Sequence, residues 1–347
     1  MTSHISLKMK FNNLNANAYP SIIGLQDVKK QLTSALILGR HVVLVGGPGM
    51  GKTTLVRDLA LLLPVQQLND CGFHCKPDEP VCPKCVHSNE SVKTIECEGS
   101  ELFVRVQGSP DLTVEDLIGD IDPIKAMKYG PLSSEAFTPG KIFKANNGIL
   151  FFDELNRCSQ RLQNVLLQVL EEKKVTVGNF DVDIPVDFVF VGTMNPQDTN
   201  TESLSDVLLD RFDLIYVHYP TIQKDEEHIV RENGISLLEF PEKLFSEMVL
   251  FVRNMRINPD LEKVPSVRAT LGLYERSQAI AQLNGHKAVR PLDIMEALTS
   301  VIAHRIKLKP SIAYLKDPVR FLQDEFKEFC EEQSISLDSA DSPWKCT

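Results

Sequence analysis

His41-Val42-Val43-Leu44-Val45 runs directly into Gly46-Gly47-Pro48-Gly49-Met50-Gly51-Lys52-Thr53, and a helical stretch follows to Leu63. The valine-rich run reads as a buried strand. The octet satisfies GxxxxGK[ST], and its place between a strand and a helix is that of a phosphate-gripping loop. Glycines there let backbone N–H groups turn inward around phosphate oxygens. The helix that begins at the loop adds the positive end of its dipole. Lys52 supplies a point charge to the β- and γ-phosphates, and the Thr53 hydroxyl can ligate Mg²⁺. The expected ligand is a magnesium nucleotide, held by Gly46, Gly47, Pro48, Gly49, Met50, Gly51, Lys52, Thr53 and Thr54.

Working outward, the apolar run Gly148-Ile149-Leu150-Phe151-Phe152 ends in Asp153-Glu154. In a fold with this loop, a strand beside the loop strand is expected to deliver such a carboxylate to the metal. Asp153 would hold Mg²⁺, and Glu154 would act as base or orienter for the attacking water. The alternative is two surface carboxylates capping the next helix. Asn195, in Gly192-Thr193-Met194-Asn195-Pro196, ends another strand, where its amide would position the water or touch the γ-phosphate. Its alternative is a turn-forming Asn before Pro. Arg211 is a charge between apolar residues in Leu208-Leu209-Asp210-Arg211-Phe212, with a surface ion pair to Asp210 as its alternative.

Short strands at 41–45, 103–106, 148–152, 188–191 and 214–217 alternate with helical stretches, which reads as α/β with a mainly parallel five-stranded sheet. Residues 160–172 place Leu162, Val165, Leu166, Val169 and Leu170 on one helical stripe. Residues 174–182 alternate around Gly178-Asn179 and predict a β-hairpin. After Pro220 the strand signals vanish. Helical patterns at 225–232, 241–254, 267–284 and 291–305 predict an all-helical lid. A helix at about 316–333 precedes a Ser/Asp-rich tail expected to fray. The expected division is a core at 1–219, a lid at 220–310, and a C-terminal helix and tail at 311–347.

The formal net charge of the 347 residues is -10, which argues against a broad basic footprint for nucleic acid. No apolar run approaches the ~20 residues of a membrane helix, and the first residues lack a signal-peptide stretch. The expectation is cytoplasmic, where eight cysteines do not suggest a disulfide framework. Four of them follow the spacing Cys71-x3-Cys75-x6-Cys82-x2-Cys85, with His74 and His87 nearby. Zn²⁺ takes four thiolate or imidazole ligands, so a structural zinc site is one reading. The other is an insertion that binds nothing or carries redox-active thiols. Cys97, Cys158, Cys330 and Cys346 lack ligand spacing and read as plain buried or tail cysteines.

Taken together, these strings resemble an AAA+ ATPase of the helix-two-insert branch, which holds the magnesium-chelatase I-subunits and the MoxR-type ATPases. Phe137-Thr138-Pro139-Gly140-Lys141-Ile142-Phe143, Gly192-Thr193-Met194-Asn195-Pro196 and Leu209-Asp210-Arg211-Phe212 are similar to the chelatase pattern. Ser109-Pro110-Asp111-Leu112 and Asp153-Glu154-Leu155-Asn156-Arg157 lean toward the MoxR type. The resemblance implies a P-loop AAA+ core and a helical lid that hydrolyse ATP with Mg²⁺. It implies sensor-one and arginine-finger roles for Asn195 and Arg211, the latter acting on a neighbouring subunit's ATP. It implies a sensor-two role for Arg268, which could otherwise merely start a helix. Residues 20–27 would pack near the adenine, 71–97 would be a cysteine-rich insertion, 120–138 the helix-two insert and 174–184 the hairpin. A homo-oligomeric ring, expected as a hexamer, would remodel a separate partner protein, often one with a von Willebrand factor A domain. Metal or cofactor insertion, such as magnesium chelation, is the work this implies. This chain has no Asp-x-Ser-x-Ser string of that domain's own. A DNA-acting motor related to helicases or transcription activators is the competing reading, with Lys173 and Lys174 as phosphate contacts. A third is an ATP-binding regulator with little turnover, against which the intact Asp153-Glu154 pair argues.

Overall fold

Apolar strands buried on both faces belong in the middle of a parallel sheet, and five strands assemble that way here. The structure, a computed structural model, describes residues 18–88, 92–130, 133–177, 182–196, 198, 202 and 204–336. Strands β1 (His41–Val45), β2 (Phe103–Gln107), β3 (Ile149–Asp153), β4 (Val189–Met194) and β5 (Phe212–Tyr216) form the sheet. Their order is β5-β1-β4-β3-β2, and every neighbouring pair is parallel. Val45 lies opposite Met194 and Tyr216, Phe152 opposite Gly192, and Asp153 opposite Gln107. All five carboxyl ends therefore meet along one edge.

Parallel strands need long crossovers, and helices supply most of that length. Helix α1 spans Gln26–Ile37 and α2 spans Lys52–Leu61; α3, Gln160–Glu172, buries Leu162, Leu166, Val169 and Leu170 from the expected stripe. Gln163 is buried with them, its amide donating to the Cys158 carbonyl. Phe152, Phe190 and Phe212 stack across β3, β4 and β5, with ring centroids 6.1 and 5.1 Å apart.

Three antiparallel ribbons interrupt the crossovers. Lys174–Val177 pairs with Val182–Pro185, the two arms of the expected hairpin; its Gly178-Asn179 turn lies outside the described residues. Gln66–Asn69 with Thr94–Cys97, and Gly119–Ile121 with Phe137–Pro139, were not anticipated. Such short strands carry too few residues for an alternating pattern to emerge.

The contacts divide the chain into two compact units. The first runs to Val217 without Pro48–Met50; the second is Pro48–Met50 with the residues from His218 on. In the second, helices α4 (Gln223–Asn233), α5 (Glu242–Ile257), α6 (Val267–Leu283), α7 (Pro291–Val301) and α8 (Pro318–Glu332) surround one core. The expected helical lid is present, with one short ribbon in which Leu261–Lys263 pairs with Lys307–Leu308. One boundary differs from expectation: α8 is not a separate segment, since Phe326 packs edge-on against Phe251 of α5 at 5.0 Å, inside the same core.

A fully buried carboxylate pins this unit. Glu226 on α4 accepts from Arg256 at 2.6 and 2.7 Å, from Thr270 at 2.6 Å and from Arg253 at 3.3 Å. Arg256 is itself 8% exposed, so removing the carboxylate strands a buried cation. Glu226→Ala is expected to destabilise the unit by about 3–5 kcal/mol in denaturant unfolding; a change within error of zero would contradict this account.

Candidate nucleotide-binding site

Two positions of the glycine-rich turn demand the left-handed backbone that glycine tolerates best. Gly49 has φ 72 and Gly51 φ 80, the latter capping the start of α2. The turn is anchored to the sheet edge by the Gly46 N–H, which donates to the Met194 carbonyl at 3.0 Å. Lys52 Nζ donates to the carbonyls of Gly46 at 2.9 Å and Gly47 at 2.7 Å, so the ammonium lies over the loop. The expected adenine-side stretch lies close by. Ile22 Cδ1 is 3.5 Å from where a Cβ on Gly51 would stand, and the Ser21 N–H donates to Asp58 of α2 at 2.8 Å.

The acidic pair ends β3, but β3 is not beside the loop strand. Strand β4 lies between them, which corrects the expected neighbour order. Thr193 of β4, 1% exposed, spans the gap. Its hydroxyl donates to Asp153 Oδ1 at 2.7 Å and accepts from the Glu154 N–H at 2.9 Å. Arg105 on β2 pairs with Asp153 Oδ2 at 2.5 Å. Glu154 takes the left-handed conformation, φ 57 and ψ 52. Its carboxylate accepts from Gln107 Nε2 at 2.9 Å and pairs with Arg157 at 3.0 Å. The Glu154 side chain makes no cap hydrogen bond to the turn Leu155–Arg157.

Asn195 follows β4 on the same edge, its carbonyl accepting from Asn156 Nδ2 at 3.1 Å. Loop, acidic pair and Asn195 are therefore brought together. Arg211 is not among them. It precedes β5, whose Phe212 pairs with His41 at the opposite end of β1. Its guanidinium pairs with Glu171 at the end of α3 and with Asp210 at 3.3 Å, and Glu171 pushes its pKa up. Arg268 is exposed in the first turn of α6, in the second unit.

Residues 78–214 match the ATPase family associated with various cellular activities (AAA), and residues 256–324 match the AAA lid domain. The chain belongs to the AAA ATPase family. Among relatives of this ATPase, a magnesium-chelatase subunit ChlI homolog of Methanocaldococcus jannaschii is 28% identical, over 84% of this chain and 86% of the relative. Magnesium-chelatase subunit ChlI of Pyropia yezoensis is 27% identical, over 91% and 95%. A cryo-EM-based structure of the complex between subunits BchI and BchD of magnesium chelatase is 23% identical, covering 86% of this chain and 98% of the other, at a TM-score of 0.48.

Beyond the nucleotide edge, the AAA chain gathers Cys71, Cys75, Cys82 and Cys85 with sulfurs all within 4.8 Å of one another. Three are buried and Cys71 is half-buried. Hydrogen bonds from the Cys75 and Cys82 thiols pull the Cys71 thiol well below the usual range. His74 and His87 are not in this cluster; His87 Nδ1 instead faces the Pro83 carbonyl at 2.8 Å. Cys97, Cys158 and Cys330 are buried elsewhere, and burial pushes the last two thiols up to about 12. Cys346 lies outside the described residues.

Sequence reasoning missed Arg105, Gln107, Gly108 and the bridging role of Thr193. The polar Arg105 and Gln107, two apart on an otherwise apolar strand, were the available signal. At Gly108 the N–H donates to the Asp153 carbonyl at 2.6 Å, and a Cβ would stand 2.1 Å from the Glu154 carbonyl oxygen. Gly108→Ala is expected to destabilise the core by about 1–3 kcal/mol through overpacking, read by thermal unfolding; an unaltered midpoint would refute this tight fit.

Proposed function

We propose that this AAA protein hydrolyses ATP with Mg²⁺ and uses the cycle to remodel a separate protein, as a chelatase-type motor subunit. The observation that carries the reading is the common sheet edge. Gly46–Thr53, Asp153, Glu154 and Asn195 lie along it, with the acidic pair tied to β4 by the Thr193 hydroxyl and Gly46 tied to β4 by the Met194 carbonyl.

The residues fit the ligand. Inward-turned loop amides and the start of α2 suit phosphate oxygens, with Thr54 beside them. The Thr53 hydroxyl and the Asp153 carboxylate are hard oxygen donors suited to Mg²⁺. When bound, Mg²⁺ neutralises charge on the β- and γ-phosphates. Lys52 leaves the loop carbonyls to meet those phosphates. Glu154, steadied by Gln107 and Arg157, takes a proton from the attacking water. Asn195 orients that water, and Arg268 is assigned the lid's phosphate-sensing role.

Arg211 supports the ring. It lies at the amino end of the sheet, roughly 17 Å along β1 from the glycine loop at ~3.3 Å per residue. A single arginine side chain does not span that distance, so the nucleotide it serves is a neighbouring subunit's. A homo-hexamer is the proposed assembly. The relatives' designation as subunits supports a separate partner chain, for which a von Willebrand factor A domain is the proposed type. Metal or cofactor insertion, magnesium chelation included, is the proposed use of the motion. The cysteine cluster adds a structural Zn²⁺.

The DNA-motor reading is weaker. Lys174 is paired with Asp183 at 2.5 Å and Glu172 at 3.5 Å, which leaves its charge neutralised rather than offered to phosphates.

Glu154→Gln should keep ATP binding and lower turnover by about 10²–10⁴-fold, measured as phosphate release; undiminished turnover would remove Glu154 from this role. Arg211→Ala should also lose turnover, on the order of 10³-fold by comparison with arginines supplied to GTPases. Mixing the two inactive chains should restore part of the activity, because mixed rings pair an intact Glu154 with a neighbour's intact Arg211. Failure of the mixture to recover, with mixed rings demonstrably formed, would contradict action across subunits.

A further inference from the structure

Cys71 and Cys75 bracket two residues whose carbonyls are acceptors for a buried pair of asparagines. Asn146 Nδ2 donates to the Phe73 carbonyl at 2.9 Å, and Asn147 Nδ2 to the His74 carbonyl at 2.8 Å. Both asparagines are 4% exposed, so each depends on these partners. They form the turn that leads into β3, with Asn147 held at φ 62. They also reach β4: the Asp187 N–H donates to Asn146 Oδ1 at 2.9 Å, and the Asn147 N–H to the Asp187 carbonyl at 2.7 Å. Phe73 is wedged between Phe137 and Phe143, with centroids 6.2 and 4.9 Å away. The starts of both strands that carry the acidic pair and Asn195 are thus fastened to one short loop.

What fastens the loop is the sulfur cluster. The ribbon Gln66–Asn69 with Thr94–Cys97 closes its base, and toward its tip Phe73 and Val81 pack against the core together with the sulfurs themselves. Cys82 caps the turn Pro83–Val86 and its sulfur accepts from the Cys85 N–H at 3.4 Å. The Cys82 N–H donates to Cys75 Sγ at 3.4 Å, and Asn69 Nδ2 to Cys85 Sγ at 3.6 Å. N–H donors aimed at ligand sulfurs are the usual outer partners of a metal–thiolate site, and four sulfurs within 4.8 Å of one another match the ligand count of a tetrahedral metal. In a tetrahedral site with metal–sulfur bonds of about 2.3 Å the sulfurs stand about 3.8 Å apart, a small contraction from the observed spread. Four thiolates suit zinc or iron. A fastening that needs no electron transfer suits zinc, which has no redox chemistry.

We propose that Cys71, Cys75, Cys82 and Cys85 hold one Zn²⁺ as a tetrathiolate, and that this ion clips the loop carrying Phe73 and His74 onto the starts of β3 and β4. Its bearing on ATP turnover rests on the nucleotide reading above; the clip itself does not. The segment from Lys76 to Val81 lies between two ligands and forms one wall of a cavity of about 510 Å³, opposite Asn146, Asn147, Lys173 and Asp187. Loss of the ion therefore also opens that wall.

The test uses the full chain. Elemental analysis should find about one zinc per chain and no iron, and cobalt exchanged into the site should show thiolate-to-cobalt charge-transfer bands. Removing the metal with a chelator should raise amide exchange in peptides covering 66–85 and 145–149, and restoring zinc should reverse it. Cys82→Ser should lose most of the zinc; if that variant fails to fold, the chelation cycle on the wild-type chain decides alone. Absence of stoichiometric metal, iron in place of zinc, or unchanged exchange at 145–149 after removal overturns the proposal. A zinc-loaded chain that passes these tests yet binds no ATP would sink the nucleotide reading and leave the clip standing.

Discussion

The hydroxyl of Thr193 sits where two requirements of the site meet. Strand β4 separates the strand that feeds the glycine-rich turn from the strand that ends in Asp153 and Glu154. The acidic pair can serve a nucleotide on that turn only if something fixes it across the intervening strand. One buried hydroxyl does so by donating to the Asp153 carboxylate and accepting from the Glu154 amide. Parallel register makes this possible, because it brings Val45, Met194 and Asp153 to the same edge. Small shifts of that register would separate the loop from the carboxylates while leaving every strand intact.

The same register explains a division of labour. The groups proposed to bind the nucleotide and activate water lie at the carboxyl ends of the strands, whereas Arg211 lies at the amino end of β5. Its partners Glu171 and Asp210 hold it at the surface, away from its own chain's nucleotide edge. That placement is the basis of the proposed action of Arg211 on a neighbouring subunit's nucleotide. The proposed cysteine clip acts on the amino ends as well, through Asn146 and Asn147, so its influence reaches the nucleotide edge along β3 and β4 rather than by contact with it.

Much of this was legible in the sequence, for identifiable reasons. Val42–Val45 and Leu150–Phe152 are apolar enough to declare central strands, and the glycine pattern at 46–53 has few other uses. The cysteine spacing pointed to a cluster that the fold assembles. Strand order was not legible, because no local pattern records which strand inserts between which; hence β4 came as a correction. The ribbons at 66–69 and 261–263 are too short to show alternation. The membership of α8 in the lid core depends on Phe251 meeting Phe326, a contact between residues far apart in the chain. Arg105 and Gln107 gain a role only once Asp153 and Glu154 stand beside them.

The central claim is that the Gly46–Thr53 turn binds a magnesium nucleotide, and calorimetric titration of the purified chain tests it most directly. Saturable ATP binding at about one site per chain is expected, weakened when Mg²⁺ is withheld and lost in Lys52→Ala. No binding by the wild-type chain, or binding that Lys52→Ala leaves untouched, would contradict it.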